Sequence, residues 1–202
     1  MGDLYQLKVT LKGIQPPIWR RVQVPARTSL RELHYVLQVV MGWENSHMHQ
    51  FRVGKRYFET TAPKAWGLDF MGFKTEDDGK VRLAEVAPKV GAKFIYEYDM
   101  GDSWEHQVVV EKILIAEPDL DYPRCLDGGR ACPPEDCGGI WGYADILAAL
   151  EDPTQEGAGE LLEWLGDGFD PEHWDIQAVN QQLAAMRLVG KNPAEKRSPR
   201  HR

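Results

Sequence analysis

The chain has 202 residues and a net charge of −7, and 43% of its residues are hydrophobic. This is the composition of a soluble globular protein with one substantial core, and no apolar run approaches the roughly 20 residues of a membrane-spanning helix. A membrane protein is therefore excluded, and residues 1–8, which contain neither a basic nor an apolar stretch, predict a cytoplasmic rather than an exported protein.

The strands of the first half are expected at residues 4–11, 18–24 and 47–53, where β-forming residues are frequent. Between the second and third strands, Ser29 and Glu32 have the spacing of a capping box. Apolar residues then recur at helical spacing, and Gly42 is a suitable end. The first half therefore predicts strands around one early helix.

Further along the chain, residues 93–99 and 103–115 flank Met100 and Gly101, which predicts a hairpin whose glycine supplies the positive φ. Residues 59–92 are punctuated by Gly and Pro, with short strand-like pieces near 81–86. Helices are expected at 142–151, at 160–165 and after Pro171. This order predicts an α+β fold with an antiparallel-rich sheet on which the C-terminal helices pack. The opening strand, strand, helix order also suits a β-grasp-like arrangement.

Charge is distributed unevenly along the chain. Residues 1–116 carry 16 Lys/Arg and 14 Asp/Glu, whereas residues 117–175 carry 2 and 16. Because an acidic surface repels a phosphate backbone, this distribution favours a basic protein over a nucleic acid as the partner. The basic, polar tail over 191–202 is expected to be disordered, which leaves one domain over residues 1–190.

All three cysteines fall between residues 125 and 137, with the spacing C-x6-C-x4-C rather than the C-x2-C pairs of zinc fingers. An odd number of thiols in a reducing compartment argues against a disulfide framework. One interpretation is a zinc site with His106 or His49 as the fourth ligand. The alternative is that the cysteines are small buried residues in a turn shaped by Pro133, Pro134 and two Gly-Gly pairs.

The hairpin turn brings Asp99 and Asp102 near His106, and two carboxylates beside an imidazole can bind a cation or act as acid and base. In the alternative interpretation the aspartates accept hydrogen bonds from turn N–H groups, while Trp104 and His106 alternate into the core.

His47 and His49, which follow Trp43, lie two residues apart on one predicted strand face. They suit paired metal ligands or hydrogen-bonded histidines near the sheet. A basic patch around Trp19 would need Arg20, Arg21 and the 52–56 segment, but alternation sends the two adjacent arginines to opposite faces. The chain contains no GxGxxG, Walker, HExxH or GxSxG motif, which disfavours the common nucleotide-binding, metalloprotease and hydrolase classes.

Several spaced motifs together resemble the plasmid pRiA4b ORF-3-like family over residues 4–188. The matching motifs are Pro17-Ile-Trp-Arg-Arg-Val, Leu33-His34, Gly42-Trp43 before His47-x-His49-x-Phe51, Tyr98-Asp99-x-Gly101-Asp102-x-Trp104-x-His106, Cys132-Pro-Pro-Glu-Asp-Cys137-Gly-Gly and Trp141-Gly-Tyr143. The resemblance implies an α+β domain without a settled activity. Some members are labelled transposon resolvases or insertion-element passengers. A serine recombinase does not suit this chain, because its first serine is the helix cap Ser29 and its C-terminal helices lie in or just after the most acidic stretch.

The sequence thus favours a non-enzymatic binding or accessory domain whose site is shared by the 98–106 hairpin and the 125–141 loop. The candidate binding residues are Trp43, His47, His49, Asp99, Asp102, Trp104, His106, Glu135, Asp136 and Trp141. One alternative is a zinc-dependent enzyme with Cys125, Cys132, Cys137 and His106 as ligands and Asp99, Asp102 or Glu135 as acid and base. The other is a DNA-associated factor of mobile elements that uses the basic N-terminal face and tail.

Overall fold

The structure, a computed structural model, describes residues 3–60 and 75–190, and eight strands and five helices lie within them. The strands are β1 (Leu4–Leu11), β2 (Trp19–Pro25), β3 (His49–Val53), β4 (Arg56–Glu59), β5 (Thr75–Asp77), β6 (Lys93–Tyr98), β7 (Trp104–Leu114) and β8 (Arg124–Gly129). The helices are α1 (Leu30–Met41), α2 (Leu83–Val86), α3 (Gly139–Glu151), α4 (Ala158–Leu165) and α5 (Ile176–Gly190). The tail over 191–202, expected to be disordered, lies outside the described residues.

All eight strands belong to one sheet, in the order β5-β4-β3-β6-β7-β1-β2-β8. Neighbouring strands are antiparallel except β4 and β5, which are parallel. The predicted α+β fold with an antiparallel-rich sheet is confirmed, and the β6–β7 hairpin forms where the sequence predicts it. None of the described helices is both long enough and apolar enough to cross a bilayer.

Three local predictions need correction. Residues 125–129, assigned to the cysteine loop, belong to the edge strand β8, which pairs with β2. The piece near 81–86 contains the one-turn helix α2, because the Glu85 side chain accepts a hydrogen bond from the Arg82 N–H at 3.1 Å and caps it. In the hairpin turn the positive φ falls on Asp99 and Ser103, at 55° and 54°.

The sheet buries one face and leaves the other polar. Alternate strand residues such as Val9, Val22 and Phe51 join the apolar side of α1 in one buried cluster. The opposite face carries ion pairs between strands, for example Arg21 with Glu111 at 2.7 Å. We therefore expect a site with buried, fixed side chains on the α1 side of the sheet, where loops cover it.

Helix α1 begins and ends where the sequence predicts. The Glu32 N–H donates to Ser29 Oγ at 3.2 Å, and the Ser29 N–H donates to Glu32 Oε2 at 2.7 Å, which completes the capping box. The left-handed Gly42, at φ 94°, ends the helix. The chain leaves α1 directly into the loop that carries Trp43 and His47.

The C-terminal helix α5 secures the sheet edge at β8. The amide of Asn180 receives a hydrogen bond from the Cys125 N–H at 2.8 Å and donates one to the Cys125 carbonyl at 2.9 Å. Leu183, one turn further along, is fully buried. These bonds pair edge groups that would otherwise be open to another strand.

Arg20 is a buried cation whose hydrogen-bond acceptors are backbone carbonyls. Its Nε donates to the Val40 carbonyl at 2.6 Å, and one guanidinium nitrogen donates to the Trp19 and Gly129 carbonyls, each at 2.8 Å. The Trp174 ring lies over the guanidinium at 3.9 Å. Burial lowers the pKa of Arg20 from its ordinary value. This one side chain ties β2, the end of α1, β8 and the segment before α5 together.

We expect Arg20→Ala to lower the free energy of unfolding by about 3 kcal/mol, because it removes charged hydrogen bonds and leaves buried carbonyls without donors. Urea denaturation followed by circular dichroism measures this. The matched control is Arg56→Ala, which breaks a half-exposed pair with Glu76 and should cost about 1 kcal/mol or less. Equal losses in the two variants would contradict the structural role of Arg20.

Candidate functional site

Three segments that are far apart in the chain meet at one end of the sheet. They are the loop 42–48 between α1 and β3, the turn 99–103 between β6 and β7, and the loop 130–138 between β8 and α3. The Trp43 indole N–H donates to the Pro133 carbonyl at 3.0 Å, and the Gly138 N–H donates to Asp102 Oδ2 at 3.1 Å. The hairpin and the cysteine loop, which the sequence predicts to share a site, are thus in direct contact.

The Tyr98 hydroxyl links two of these loops through hydrogen bonds. It accepts hydrogen bonds from the N–H groups of Ser46 at 2.9 Å and His47 at 3.3 Å, and it donates to Glu135 Oε1 at 3.0 Å. The same Glu135 oxygen accepts from the Glu44 N–H at 2.9 Å. Burial, with the Glu135 carboxylate beside it, raises the pKa of Tyr98 to about 12, so the hydroxyl remains a donor at neutral pH.

His47 lies among three carboxylates. Its Nδ1 is 3.7 Å from Asp99 Oδ2, and its Nε2 is 3.2 Å from Asp136 Oδ1 and 3.6 Å from Glu135 Oε2. The ligand atoms of His47, Asp99 and Asp136 all lie within 4.8 Å of one another. Both His47 Nε2 and Glu135 Oε2 are shielded from solvent and make no hydrogen bond. We call His47, Asp99 and Asp136 the His47 cluster. Its donor types and spacing suit a metal ion.

Trp104 and His106 lie beneath the loops as core residues. Trp43 packs edge-on to His106, with ring centroids 5.1 Å apart, and near Trp104 at 6.1 Å. His106 Nδ1 is 3.2 Å from the Tyr96 carbonyl, which accepts a hydrogen bond from it. Complete burial lowers the pKa of His106 to about 4, so the ring is neutral at physiological pH. Both residues support the loops from below.

The structure does not bring the three cysteines and His106 together as a ligand set. Cys125 lies within β8, with its sulfur 3.5 Å from the Arg21 carbonyl, whereas Cys132 and Cys137 follow in the loop. Among residues 3–60 and 75–190, the group that meets the 4.8 Å spacing is the His47 cluster. Burial raises the pKa of all three thiols, that of Cys137 to about 12, so the protonated form is favoured at neutral pH.

His47 and His49 do not act as a pair, because the strand starts at His49 and leaves His47 in the loop. The His49 Nε2–H donates instead to Asp78 Oδ2 at 2.8 Å. Asp78 is fully buried and also accepts from Arg31 Nε at 2.8 Å. Burial alone would raise the pKa of Asp78, but the hydrogen bonds from His49 and Arg31 lower it. No local signal in the sequence marks Asp78.

A stacked pair of imidazoles connects this ion pair to the His47 loop. The rings of His34 and His49 lie 3.6 Å apart and nearly parallel. Gln38 donates to the Tyr96 hydroxyl at 2.8 Å, so the Tyr96 O–H donates to His34 Nδ1, also at 2.8 Å. The remaining His34 Nε2–H donates to the Asn45 side-chain oxygen at 2.7 Å. With these hydrogen bonds His34 is a neutral imidazole, and it holds the loop at Asn45, two residues before His47.

The loop approaches the hairpin so closely that one position requires glycine. Gly139 has φ 69°, and a Cβ there would lie 2.7 Å from the Asp102 carbonyl oxygen. Two residues later, Trp141 projects from the first turn of α3 and is 79% exposed. Gly139 is therefore a packing requirement, and Trp141 lies beside the loop contacts without taking part in them.

Known proteins match this chain along most of its length. The sequence pattern described as plasmid pRiA4b ORF-3-like protein matches residues 3–178. The chain belongs to this family. The resemblance inferred from the spaced motifs is thereby confirmed, and the match includes all three segments of the site.

Two relatives support the assignment to the pRiA4b ORF-3-like family. The uncharacterized protein y4hQ of Sinorhizobium fredii is 40% identical over 185 residues, which is 91% of this chain and 92% of that protein. The crystal structure of MM3350 from Methanosarcina mazei, a protein of unknown function, has a TM-score of 0.76 and 36% identity, and the match covers 87% of this chain and 95% of that one. The fold of this chain is therefore shared with a solved archaeal protein.

Gly139→Ala should destabilise the chain by about 2 kcal/mol more than Gly157→Ala. Both glycines have positive φ, but a Cβ at Gly157 meets nothing within 4 Å whereas one at Gly139 meets the Asp102 backbone. Urea denaturation of the two variants isolates the cost of the loop contact from that of backbone strain. Equal destabilisation would show that the close approach is not required.

The free energy of unfolding should fall as the pH drops from about 6.5 toward about 4. Burial lowers the pKa of His34 and His106 to about 4, from an ordinary value of 6.5. Between these values the unfolded chain takes up protons that the folded chain excludes, which costs up to about 1.4 kcal/mol per pH unit for each histidine. Urea midpoints across this range measure the slope. His34→Gln should reduce it, and replacement of the exposed His173 by Gln should not; an unchanged slope in His34→Gln would contradict the assignment.

Proposed function

We propose that this chain is a binding domain that holds a divalent metal ion at the His47 cluster, where the hairpin and the cysteine loop meet. The observation that carries the proposal is the convergence of His47, Asp99 and Asp136 from three separate segments, with their ligand atoms within 4.8 Å of one another. Metal sites are commonly built in this way, from ligands that only the tertiary fold brings together.

The electrostatics of the cluster support a cation. Asp99, Glu135 and Asp136 each have a carboxylate oxygen within 3.7 Å of a His47 ring nitrogen. Carboxylates at this spacing repel one another when ionised, and a bound cation offsets that repulsion. Glu135 is also preorganised, because Tyr98 and the Glu44 N–H fix Oε1 and leave Oε2 directed at His47.

The donor types indicate which ions fit. An imidazole with two or three carboxylates suits Zn²⁺ or Mn²⁺, whereas Mg²⁺ and Ca²⁺ prefer oxygen ligands alone. Asp99 retains a fixed orientation because its Oδ1 accepts a hydrogen bond from the Gly101 N–H at 2.8 Å, which leaves Oδ2 for the ion. Restrained ligands of this kind reduce the entropy lost on binding.

The full-length chain should bind Zn²⁺ or Mn²⁺ with a stoichiometry of about one, measured by calorimetry and by elemental analysis after purification without added metal. At an ion concentration of 100 times Kd, the free energy of unfolding should rise by about 2.7 kcal/mol. His47→Gln and Asp136→Asn should each weaken binding at least tenfold, because the first removes the imidazole nitrogen, the second removes a carboxylate charge, and neither changes the core.

Two controls separate this site from the other candidates. Cys132→Ser should bind the ion like the original chain, and so should a variant in which the exposed His173 is replaced by Gln. If Cys132→Ser abolishes binding and Asp136→Asn does not, the thiols rather than the carboxylates hold the ion. The absence of stoichiometric binding of both ions, with unchanged melting at excess ion, would overturn the proposal.

A further inference from the structure

Helices α3 and α4, with the segments that follow each of them, form a uniformly acidic layer over residues 139–175. This stretch contains ten Asp or Glu residues and neither Lys nor Arg. All ten acidic residues are exposed. One of them, Glu172, pairs with Arg130 from outside the layer at 2.7 Å. Such a concentration of one sign opposes folding through self-repulsion, and a partner of opposite charge would relieve that repulsion.

The same layer exposes two tryptophans. Trp141 on α3 is 79% exposed and Trp164 on α4 is 52% exposed, although the two helices pack against each other. Tryptophan is among the side chains that contribute most to protein interfaces, and it is the best cation–π acceptor. A surface that only needed negative charge would not need exposed indole rings. The two tryptophans therefore favour a surface that contacts a partner.

Each tryptophan has a carboxylate one helical turn away. Asp145 follows Trp141 by four residues on α3, and Glu160 precedes Trp164 by four residues on α4. Residues at this spacing lie side by side on one helix face, with Cβ atoms about 6 Å apart. An indole beside a carboxylate matches a Lys or Arg side chain, which can place its charge near the carboxylate and its flat or aliphatic part on the ring.

We propose that the acidic layer binds an Arg/Lys-rich segment of another protein, and that the pairs Trp141–Asp145 and Glu160–Trp164 each take one cationic side chain. A nucleic acid does not fit, since the layer repels phosphate. Arginine is favoured over lysine because its planar guanidinium stacks on an indole while it bonds a carboxylate. The pairs share no residue with the His47 cluster, so this activity is separable from metal binding.

The test uses the full chain and a fluorescent twelve-residue peptide of alternating Arg and Ser at 0.15 M salt, with anisotropy as the readout. The same peptide with citrulline in place of Arg controls for charge. We expect Trp141→Ala and Trp164→Ala each to weaken binding about tenfold without any change in net charge. Replacement of Ile115, an exposed apolar residue outside the layer, by Ala should leave affinity unchanged. Both tryptophan variants should retain their affinity for Zn²⁺.

Variants that each remove one charge test whether peptide affinity depends on the position of a carboxylate or only on the total charge of the chain. Glu160→Gln should weaken binding several-fold more than Glu117→Gln, which removes the same charge from an exposed site outside the layer. Equal effects of these two variants, together with unchanged binding in both tryptophan variants, would show nonspecific attraction and overturn the proposal.

The alternative occupant of the acidic layer is the basic tail of this chain, residues 191–202. It carries Lys191, Lys196, Arg197, Arg200 and Arg202. If a full-length variant in which Lys196, Arg197 and Arg200 are replaced by Gln binds the Arg–Ser peptide more than tenfold tighter, the tail itself covers the layer and the assignment to another protein is overturned. If the affinity of this variant is unchanged, the layer is available to a partner and the proposal is supported.

Discussion

The alternation of β6 and β7, with one face buried and the other polar, is the constraint on which the site depends. It directs Tyr98, Trp104 and His106 into the core and leaves Asp99 and Asp102 at the turn. The inward Tyr98 hydroxyl then reaches the two loops that close over this end of the sheet. Without a rigid aromatic layer below them, these loops would have no common anchor, and the carboxylates and imidazole they carry would not converge. The position of the site is thus a consequence of strand geometry.

Burial separates the histidines into different chemical roles. His106 is enclosed by rings and carbonyls and is held neutral, as is His34 in its network with a tyrosine and an asparagine. His49 is committed to the buried Asp78. His47 differs because its loop position places a solvent-shielded ring nitrogen among carboxylates without a hydrogen bond. His34, His49 and His106 are good structural elements because their polar atoms are bonded or because their surroundings exclude charge, and the same features make them poor ligands for a cation.

Two acidic regions of the chain differ in geometry and therefore in the partner that suits them. At the His47 cluster, carboxylates from separate segments converge on one imidazole within a few ångströms, which suits a small ion of high charge density. Over residues 139–175 the carboxylates are dispersed over exposed positions of α3, α4 and the segments that follow them, which also expose Trp141 and Trp164. An extended surface of that kind suits cationic side chains distributed along a second protein. The two regions adjoin where the cysteine loop enters α3.

The sequence by itself determined the features whose physical signals are local. These include the capping box at Ser29, the inward alternation around His106, the existence of the hairpin and the acidic excess of the second half. Residues 124–129 became a strand only because β2 offers them an edge, since glycine-containing segments without alternation have no strand signal of their own. The separation of His47 from its neighbour and the burial of Asp78 were likewise decided by tertiary structure. A metal-ligand set requires atoms a few ångströms apart, and here those atoms come from segments tens of residues apart, so their distances exist only after the sheet has assembled.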